Sequence, residues 1–116
     1  MIQGIHHFAM IVRSEESIAF YERLGFMVFK RVEREHDIVV LFRGYGIQLE
    51  IFVDATHPPR SNPDPLGLRH LALHVDDIEK TGHELGLELG PIMKDWVGDR
   101  FCFIADLDGN IIEFHE

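Results

Sequence analysis

Two histidines and two glutamates stand at matching places along the chain, and they are ligand types that divalent transition metals accept. His7 precedes Glu50 by 43 residues, and His70 precedes Glu113 by the same interval (50 − 7 and 113 − 70). Imidazole nitrogens and carboxylate oxygens are common ligands of such metals. Two neutral imidazoles and two carboxylates also balance the charge of a +2 ion. The four residues therefore predict one divalent metal site.

The two pairs belong to a longer internal repeat. A shift of 63 residues (70 − 7) relates His7 to His70 and Glu50 to Glu113, and it holds without a gap. Such self-similarity is typical of a duplicated structural unit. Other identities at this shift include Ala9/Ala72, Val12/Val75, Glu16/Glu79, Leu24/Leu87 and Gly46/Gly109.

A connector joins the two copies of the repeat. Residues 54–67 contain four of the five prolines, and proline lacks the N–H that the interior of a sheet requires. We therefore predict a single domain over residues 1–116, with module 1 at about 2–53, the connector at 54–67 and module 2 at about 68–116.

Within each module, the pattern of apolar and polar residues predicts the order βαβββ. Ser14, followed by two glutamates, is typical of a helix start, and Gly25 of a helix end. The sequence Asp76-x-x-Glu79 resembles a capping box that opens the second helix, which ends at Gly86. The predicted strands are 4–12, 26–34, 37–43 and 46–53 in module 1, and 68–75, 88–94, 100–105 and 110–115 in module 2.

Alternation along the strands separates the candidate ligands from the core. Successive side chains of a strand project from opposite faces, so Phe8 and Val12 share one face while His7 lies on the other. The fully apolar face is expected to pack under the helix, which leaves the ligands on the opposite face. In the sequence, Glu50 and Glu113 each stand between two apolar residues. Burying a carboxylate in such a segment costs free energy unless its charge is paired. A lone histidine or glutamate on a strand is usually solvated, but four at equivalent positions favour the metal site.

Composition narrows the class of protein. The 116 residues include 20 acidic and 11 basic side chains, for a net charge of −9, and such a surface repels nucleic acid. No apolar run approaches the roughly 18 residues of a membrane span. The one cysteine, Cys102, excludes an internal disulfide, and the N-terminus lacks the features of a signal peptide. We therefore expect a cytoplasmic protein that acts on a small molecule.

Several segments resemble the vicinal-oxygen-chelate superfamily, in particular its small glyoxalase I-like proteins. The matching stretches are His6-His7-Phe8-Ala9-Met10-Ile11, Phe20-Tyr21-Glu22 with Leu24-Gly25-Phe26, Leu49-Glu50-Ile51-Phe52, Arg69-His70-Leu71-Ala72 and Asp106-Leu107-Asp108-Gly109-Asn110-Ile111-Ile112-Glu113-Phe114. The resemblance implies an α+β fold in which two paired βαβββ modules form a curled mixed sheet around a metal cleft. It also implies that the metal ligands are His7, Glu50, His70 and Glu113.

The same resemblance implies a metal-dependent lyase or isomerase of the glyoxalase I type, similar to lactoylglutathione lyase. Such an enzyme transfers a proton next to a carbonyl through a metal-bound enediolate, with a ligand carboxylate as the base. We assign Glu113 as this catalytic base and Glu50 as the second carboxylate, and the reverse assignment stays open. The ligand types do not distinguish among Ni, Zn, Co, Mn and Fe.

Two positions depart from the glyoxalase I pattern and leave the substrate open. Ile11 stands where an arginine that meets a glutathione carboxylate is usual, and Arg13 lies two residues beyond it. Asp54 stands where an asparagine is usual. The candidate residues of the substrate pocket are Ile11, Arg13, His74 and Arg100. Whether glutathione is the thiol is therefore an open question.

Other activities of the same superfamily are the alternatives. One is a thioester epimerase. Another is an Fe(II) extradiol-type dioxygenase, whose two histidines and one carboxylate leave room for oxygen, and the fourth ligand Glu50 argues against it. The third is a non-catalytic binding protein of the bleomycin-resistance type, whose relatives usually lack the metal residues. A homodimer is expected because two four-stranded modules leave sheet edges that a second copy covers, and the metal site is built within one chain or across that dimer.

Overall fold

Each half of the chain forms a four-stranded mixed sheet with one α-helix in the computed structural model, which describes residues 1–116. The first half contains β1 (Phe8–Val12), α1 (Glu16–Arg23), β2 (Met27–Glu33), β3 (Ile38–Gly44) and β4 (Ile47–Val53). The second half contains β5 (Leu71–His74), α2 (Ile78–Leu85), β6 (Met93–Lys94), β7 (Arg100–Ala105) and β8 (Ile111–His115). The predicted α+β class and the repeated βαβββ order are therefore confirmed.

The chain divides into two compact units, Met1–Pro58 and Pro59–Glu116. The boundary between them falls inside the proline-rich stretch 54–67. The strand order is β1-β4-β3-β2 in the first unit and β5-β8-β7-β6 in the second. In both units the first strand pairs in parallel with the last, and the other neighbours are antiparallel. No helix has the length and apolar character that crossing a membrane requires.

The register brings equivalent residues of the two units to equivalent places. Ala9 of β1 lies opposite Glu50 of β4 in the first sheet. Ala72 of β5 lies opposite Glu113 of β8 in the second sheet. Each glutamate therefore lies on an interior strand of its sheet, Glu50 on β4 next to β1 and Glu113 on β8 next to β5.

The helix-side face of each sheet carries the core, as the alternation predicted. In the first unit Leu49 and Ile51 are fully buried, and the ring of Tyr21 on α1 lies 6.3 Å from that of Phe42. The Tyr21 hydroxyl also contacts the sulfur of Met10 at 3.6 Å. The buried side chains of the second unit include Ile78, Cys102, Ile112 and Phe114. Because these faces form the cores, the opposite face of each sheet is left for polar side chains.

The helix starts differ from the predicted ones by one residue. The N-cap of α1 is Glu15, whose side chain makes no capping hydrogen bond, whereas Ser14 contributes only its carbonyl to the first turn. The N-cap of α2 is Asp77 rather than Asp76, because Asp77 has the extended backbone that a cap needs and its carboxylate accepts a first-turn N–H at 2.9 Å. The predicted end of α2 is confirmed, with Gly86 in the left-handed conformation.

Strand β6 contains only Met93–Lys94 and is much shorter than the predicted strand 88–94. Pro91 has no N–H to donate to a neighbouring strand. Before it, Gly90 donates its N–H to the Phe103 carbonyl at 2.9 Å. The segment therefore touches β7 at Gly90 but forms a regular ladder only after the proline.

Gly25 allows the end of α1 to pack against the turn between β3 and β4. Its φ is +105°, and a Cβ added there would lie 2.2 Å from the hydroxyl oxygen of Tyr45. That hydroxyl donates a hydrogen bond to the Leu24 carbonyl. Gly46 is also left-handed, with φ +77°, but the space around it is open. A side chain at either position would strain the backbone, but only a side chain at Gly25 would also collide with Tyr45.

We expect Gly25→Ala to lower the free energy of unfolding by about 2–4 kcal/mol and Gly46→Ala by about 1–2 kcal/mol. Both changes strain the backbone, but only the first collides with Tyr45. Urea unfolding of the two variants measures the difference. Tyr45→Phe removes the colliding hydroxyl, so it should recover part of the Gly25→Ala loss in the double variant. Equal losses at the two glycines would contradict the contact explanation.

Candidate metal centre

The first predicted pair of ligands lies where β1 begins and in the middle of β4. His7 directly precedes β1, two residues before Ala9, which lies opposite Glu50. Their side chains therefore project from one face, and His7 Nε2 lies 3.4 Å from Glu50 Oε2. The other ring nitrogen of His7 lies 2.8 Å from Nδ1 of His6. This contact fixes the orientation of the His7 ring and leaves Nε2 directed at the carboxylate.

The second predicted pair repeats this arrangement in the other unit. His70 directly precedes β5, and its Nε2 lies 3.5 Å from Glu113 Oε1 on β8. The side chains are 22% and 14% exposed, against 36% and 25% for the first pair. Phe103 lies opposite Glu113 in the sheet, and its ring meets the His70 ring edge-on at 5.4 Å. The second pair is therefore the more enclosed, with an aromatic wall on one side.

The donor groups of both pairs suit a divalent cation. Separations of 3.4 and 3.5 Å are longer than good hydrogen bonds. Two ligand atoms bound to one ion at about 2.1 Å lie roughly 3.0–4.2 Å apart. Neither Glu50 nor Glu113 accepts a hydrogen bond from another group of the chain, and a cation satisfies such a carboxylate. The structure thus places each predicted histidine beside its predicted glutamate within its own unit.

Three of the four predicted pocket residues follow the alternation of the ligand-bearing faces. Ile11 of β1 lies two residues beyond Ala9 and is 43% exposed. His74 of β5 lies two residues beyond Ala72, and it is also exposed. Arg13 continues the alternation just after β1, with an exposed side chain. These residues are accessible from the faces that carry the two pairs.

Arg100, the fourth predicted pocket residue, lies on the other face of the second sheet from Glu113. It begins β7, and alternation puts it on the helix-side face with the buried Cys102. Its guanidinium forms ion pairs with Glu79 of α2 and with Glu116, and hydrogen bonding to Glu79 is the main cause of its raised pKa. The side chain therefore links α2 to the end of the chain on the face away from Glu113.

Asp54 is held by neighbours in its own loop. Its Oδ1 accepts a hydrogen bond from the hydroxyl of Thr56 at 2.6 Å and another from the backbone N–H of Thr56 at 2.9 Å. Its Oδ2 lies 3.2 Å from His57 Nε2. The Thr56 hydroxyl, and then the Thr56 N–H and His57, hold the pKa of the Asp54 carboxyl below its ordinary value. Asp54 therefore carries a fixed negative charge at neutral pH.

A third group of potential ligands, Asp95, Asp99 and His115, was missed at the level of sequence. Their ligand atoms lie within 4.8 Å of one another. Asp95 accepts the N–H groups of Asp99 and Val97 at 2.9 and 3.0 Å, and it lies 3.0 Å from His115 Nε2. Burial opposes ionisation of Asp95, but these hydrogen bonds keep its pKa below the ordinary value, and Asp95 in turn raises the pKa of His115. Both oxygens of Asp95 already have hydrogen-bonding partners within the chain. We therefore interpret the group as a structural contact that holds this loop against β8.

The chain is similar to other proteins over its full length. It is 37% identical to the uncharacterized protein YwkD of Bacillus subtilis (strain 168), over 100% of this chain and 98% of that protein. The crystal structure of a glyoxalase family protein from Enterococcus faecalis matches with a TM-score of 0.88 and 35% identity, over 98% of both chains. The first of these relatives is uncharacterized, and the second is known only as a glyoxalase family protein, so neither is associated with a specific reaction.

Two less similar crystal structures share the fold alone. Lactoylglutathione lyase from Agrobacterium tumefaciens matches at 19% identity with a TM-score of 0.69, over 99% of this chain and 94% of that one. A mutant of the fosfomycin resistance protein FosX from Listeria monocytogenes, complexed with Mn(II), matches at 20% identity with a TM-score of 0.75, over 99% and 92%. Residues 4–114 also match a family model that spans nearly the whole sequence. The chain therefore belongs to the Glyoxalase/Bleomycin resistance protein/Dioxygenase superfamily.

Proposed function

We propose that the protein is a metal-dependent enzyme of the glyoxalase type, which moves a proton between two adjacent carbons beside a carbonyl group. The observation that carries this proposal is the repeated pair of a histidine and a glutamate, one pair on each sheet, with N–O separations of 3.4 and 3.5 Å. A protein that only sequesters a ligand has no need for such a donor set. Membership of a superfamily that includes metal-dependent enzymes agrees with the proposal.

The proposed ligands of a single divalent cation are His7, Glu50, His70 and Glu113. Each histidine offers Nε2, and the contact of His7 with His6 leaves that nitrogen free to bind. The cation supplies positive charge that stabilises the negative charge developing on two adjacent substrate oxygens. Ni, Zn, Co, Mn and Fe are all compatible with mixed nitrogen and oxygen ligands.

Glu113 is the proposed catalytic base. It is the more enclosed of the two glutamates, with 14% of its side chain exposed against 25% for Glu50, and Phe103 lies opposite it. Few water molecules can then exchange with a proton that the carboxylate has taken up. Glu113 is therefore suited to return that proton to the substrate, while Glu50 serves as the second carboxylate.

The proposed reaction balances without an oxidant or a reductant. Glu113 takes a proton from the hydroxyl-bearing carbon beside the carbonyl. The electron pair of the broken C–H bond forms a double bond between the two carbons, and the π electrons of the carbonyl move onto its oxygen. The protonated Glu113 then gives its proton to the former carbonyl carbon, and the hydroxyl proton of the first carbon passes to the other oxygen, so that the first carbon becomes the carbonyl and its neighbour carries the hydroxyl. The substrate is thus an α-hydroxycarbonyl compound, such as the adduct of a 2-oxoaldehyde with a thiol. Asp54 carries a fixed negative charge and Ile11 is apolar, so neither attracts a carboxylate of glutathione. The identity of the thiol is therefore determined by assay.

Metal analysis tests the proposed centre. After chelation and reconstitution, we expect the protein to retain about one divalent ion per chain, and Glu50→Gln or His70→Ala to weaken metal binding at least about tenfold by loss of a ligand. Elemental analysis after dialysis measures the retained metal. His36→Ala, at a side chain that is 86% exposed, is the matched control and should change nothing. Absence of metal from the reconstituted wild-type protein would refute the proposal.

Isotope exchange tests the proposed base. We expect the metal-loaded protein to convert the adduct of methylglyoxal with glutathione or another thiol, and Glu113→Gln to lower kcat at least about 100-fold because no group then carries the proton. Proton NMR in deuterated water follows the transferred hydrogen, and metal content is measured on the same samples. Glu84→Gln, on the exposed side of α2, is the control. Binding of the adducts without turnover by the wild-type protein would instead indicate a binding protein.

We also propose that the chain forms a homodimer. Strand β2 lies at the edge of its sheet, and all of its residues are exposed, including the apolar Met27, Val28, Phe29 and Val32. Apolar edge strands are usually covered by another chain or element. We expect sedimentation equilibrium to give the mass of a dimer, with Val32→Lys shifting the equilibrium towards the monomer and Ala19→Lys on α1 leaving it unchanged. A wild-type monomer would contradict this proposal.

A further inference from the structure

Arg43 is a cation without an anionic partner on the ligand-bearing face of the first sheet. It lies in β3 with its side chain exposed, and its guanidinium carbon is 3.8 Å from the ring centre of Phe29. Arg31 and Arg34 in the same unit each hold a carboxylate. In a chain with 20 acidic residues against 11 basic ones, a shortage of carboxylates does not explain an unpaired arginine. Arg43 is therefore available to an anion from outside the chain.

An irregularity in β2 presents the Phe29 ring to Arg43. The register pairs Val28 with Phe42 and then pairs Lys30 with the next residue of β3, so Phe29 is the extra residue of a β-bulge. A bulge redirects the side chain that it inserts. The ring then supports the guanidinium by a cation–π contact while its N–H groups stay free. The Arg43 side chain is thus ordered in advance of any ligand.

Two neighbouring rows of side chains connect Arg43 with the first pair of proposed metal ligands. Arg43 lies opposite Gln48, and the parallel register of β1 and β4, continued by one residue, puts His7 beside Gln48. In the adjacent row, Lys30 and Glu50 lie on either side of the same β3 residue. Strands are about 4.8 Å apart, so the backbone of Arg43 is roughly 10 Å from that of His7.

Gln48 and Lys30 add further unused donors to this patch. Gln48 is half-buried, and its side-chain amide makes no hydrogen bond within the chain. Lys30 is exposed and makes no ion pair. Together with Arg43 they present N–H donors and two positive charges on the face that carries His7 and Glu50. A group with negative charge and several acceptor oxygens is the ligand that satisfies such donors.

We propose that Arg43, assisted by Gln48 and Lys30, binds an anionic group of the substrate, a carboxylate or a phosphate-type oxyanion. This inference rests on the proposed metal-dependent function, because the anionic group belongs to a molecule whose reacting oxygens lie at the metal ligands. Arg43 takes no part in the proton transfer and determines which substrates bind. Since it lies roughly 10 Å from His7 along the sheet, a short chain of atoms separates the anionic group from the reacting oxygens.

Hydroxamates are suitable probes, because a hydroxamate chelates a divalent metal through two adjacent oxygens. Butyrohydroxamate is neutral at its far end, whereas the monohydroxamates of succinic, glutaric and adipic acid carry a carboxylate at increasing distance. Isothermal titration calorimetry on the full chain, loaded with the metal that supports activity, compares their Kd values. We expect at least one monohydroxamate to bind about tenfold more tightly than butyrohydroxamate. Arg43→Gln should abolish this preference and leave the Kd of butyrohydroxamate unchanged.

Two further variants separate the contact of Arg43 from general charge. Phe29→Leu removes the supporting ring and should reduce the preference about threefold. Arg23→Gln removes the same positive charge from the exposed end of α1 and should leave the preference intact. An unchanged Kd for butyrohydroxamate shows that each variant is folded and loaded with metal.

The outcomes distinguish this inference from the proposed function. Equal Kd values for the neutral and anionic probes, or a preference that survives Arg43→Gln, would overturn the role of Arg43 and leave the metal centre standing. Failure of the reconstituted wild-type protein to hold metal or bind any hydroxamate would overturn the proposed function and this inference with it.

Discussion

A carboxylate that projects from a sheet between apolar neighbours requires a positive charge close by, and this constraint applies equally in both units. Glu50 and Glu113 each stand between two residues that are buried in the core of their unit. Their own side chains project from the opposite face, where no group of the chain donates a hydrogen bond to them. An imidazole at 3.4 or 3.5 Å is the nearest partner. The chemistry that we propose follows from this need for positive charge.

The parallel pairing of the first and last strands turns a long sequence separation into a short distance. His7 and Glu50 meet because β1 and β4 are neighbours in the register that sets Ala9 opposite Glu50. His70 meets Glu113 through the same register in the second sheet. The helix and the two intervening strands lie between the paired strands in sequence, and the helix covers the apolar face. The same fold element therefore builds the core on one face and collects the polar groups on the other.

Many charged side chains of this acidic protein hold loops and helix ends in place. Arg100 links α2 to the end of the chain, Asp54 closes a turn with Thr56, and Asp95 clasps its loop to β8. These groups have partners that account for them. Arg43 has none, and its contact with an aromatic ring leaves its hydrogen-bonding groups available. Arg43 also lies on the face that carries His7 and Glu50.

The sequence by itself determined the repeat, the order of the elements and the face on which each candidate ligand lies, because alternation and a constant shift of 63 residues (113 − 50) are local patterns. It also paired each histidine with its glutamate. Only the tertiary structure showed that β6 begins at Met93, that Arg100 pairs with Glu79, that Asp95 contacts His115 and that Phe29 lies under Arg43. These features depend on where each strand starts, on its register and on one bulge. Register and bulges are decided by the packing of a whole sheet, and a one-residue change moves a side chain to the other face.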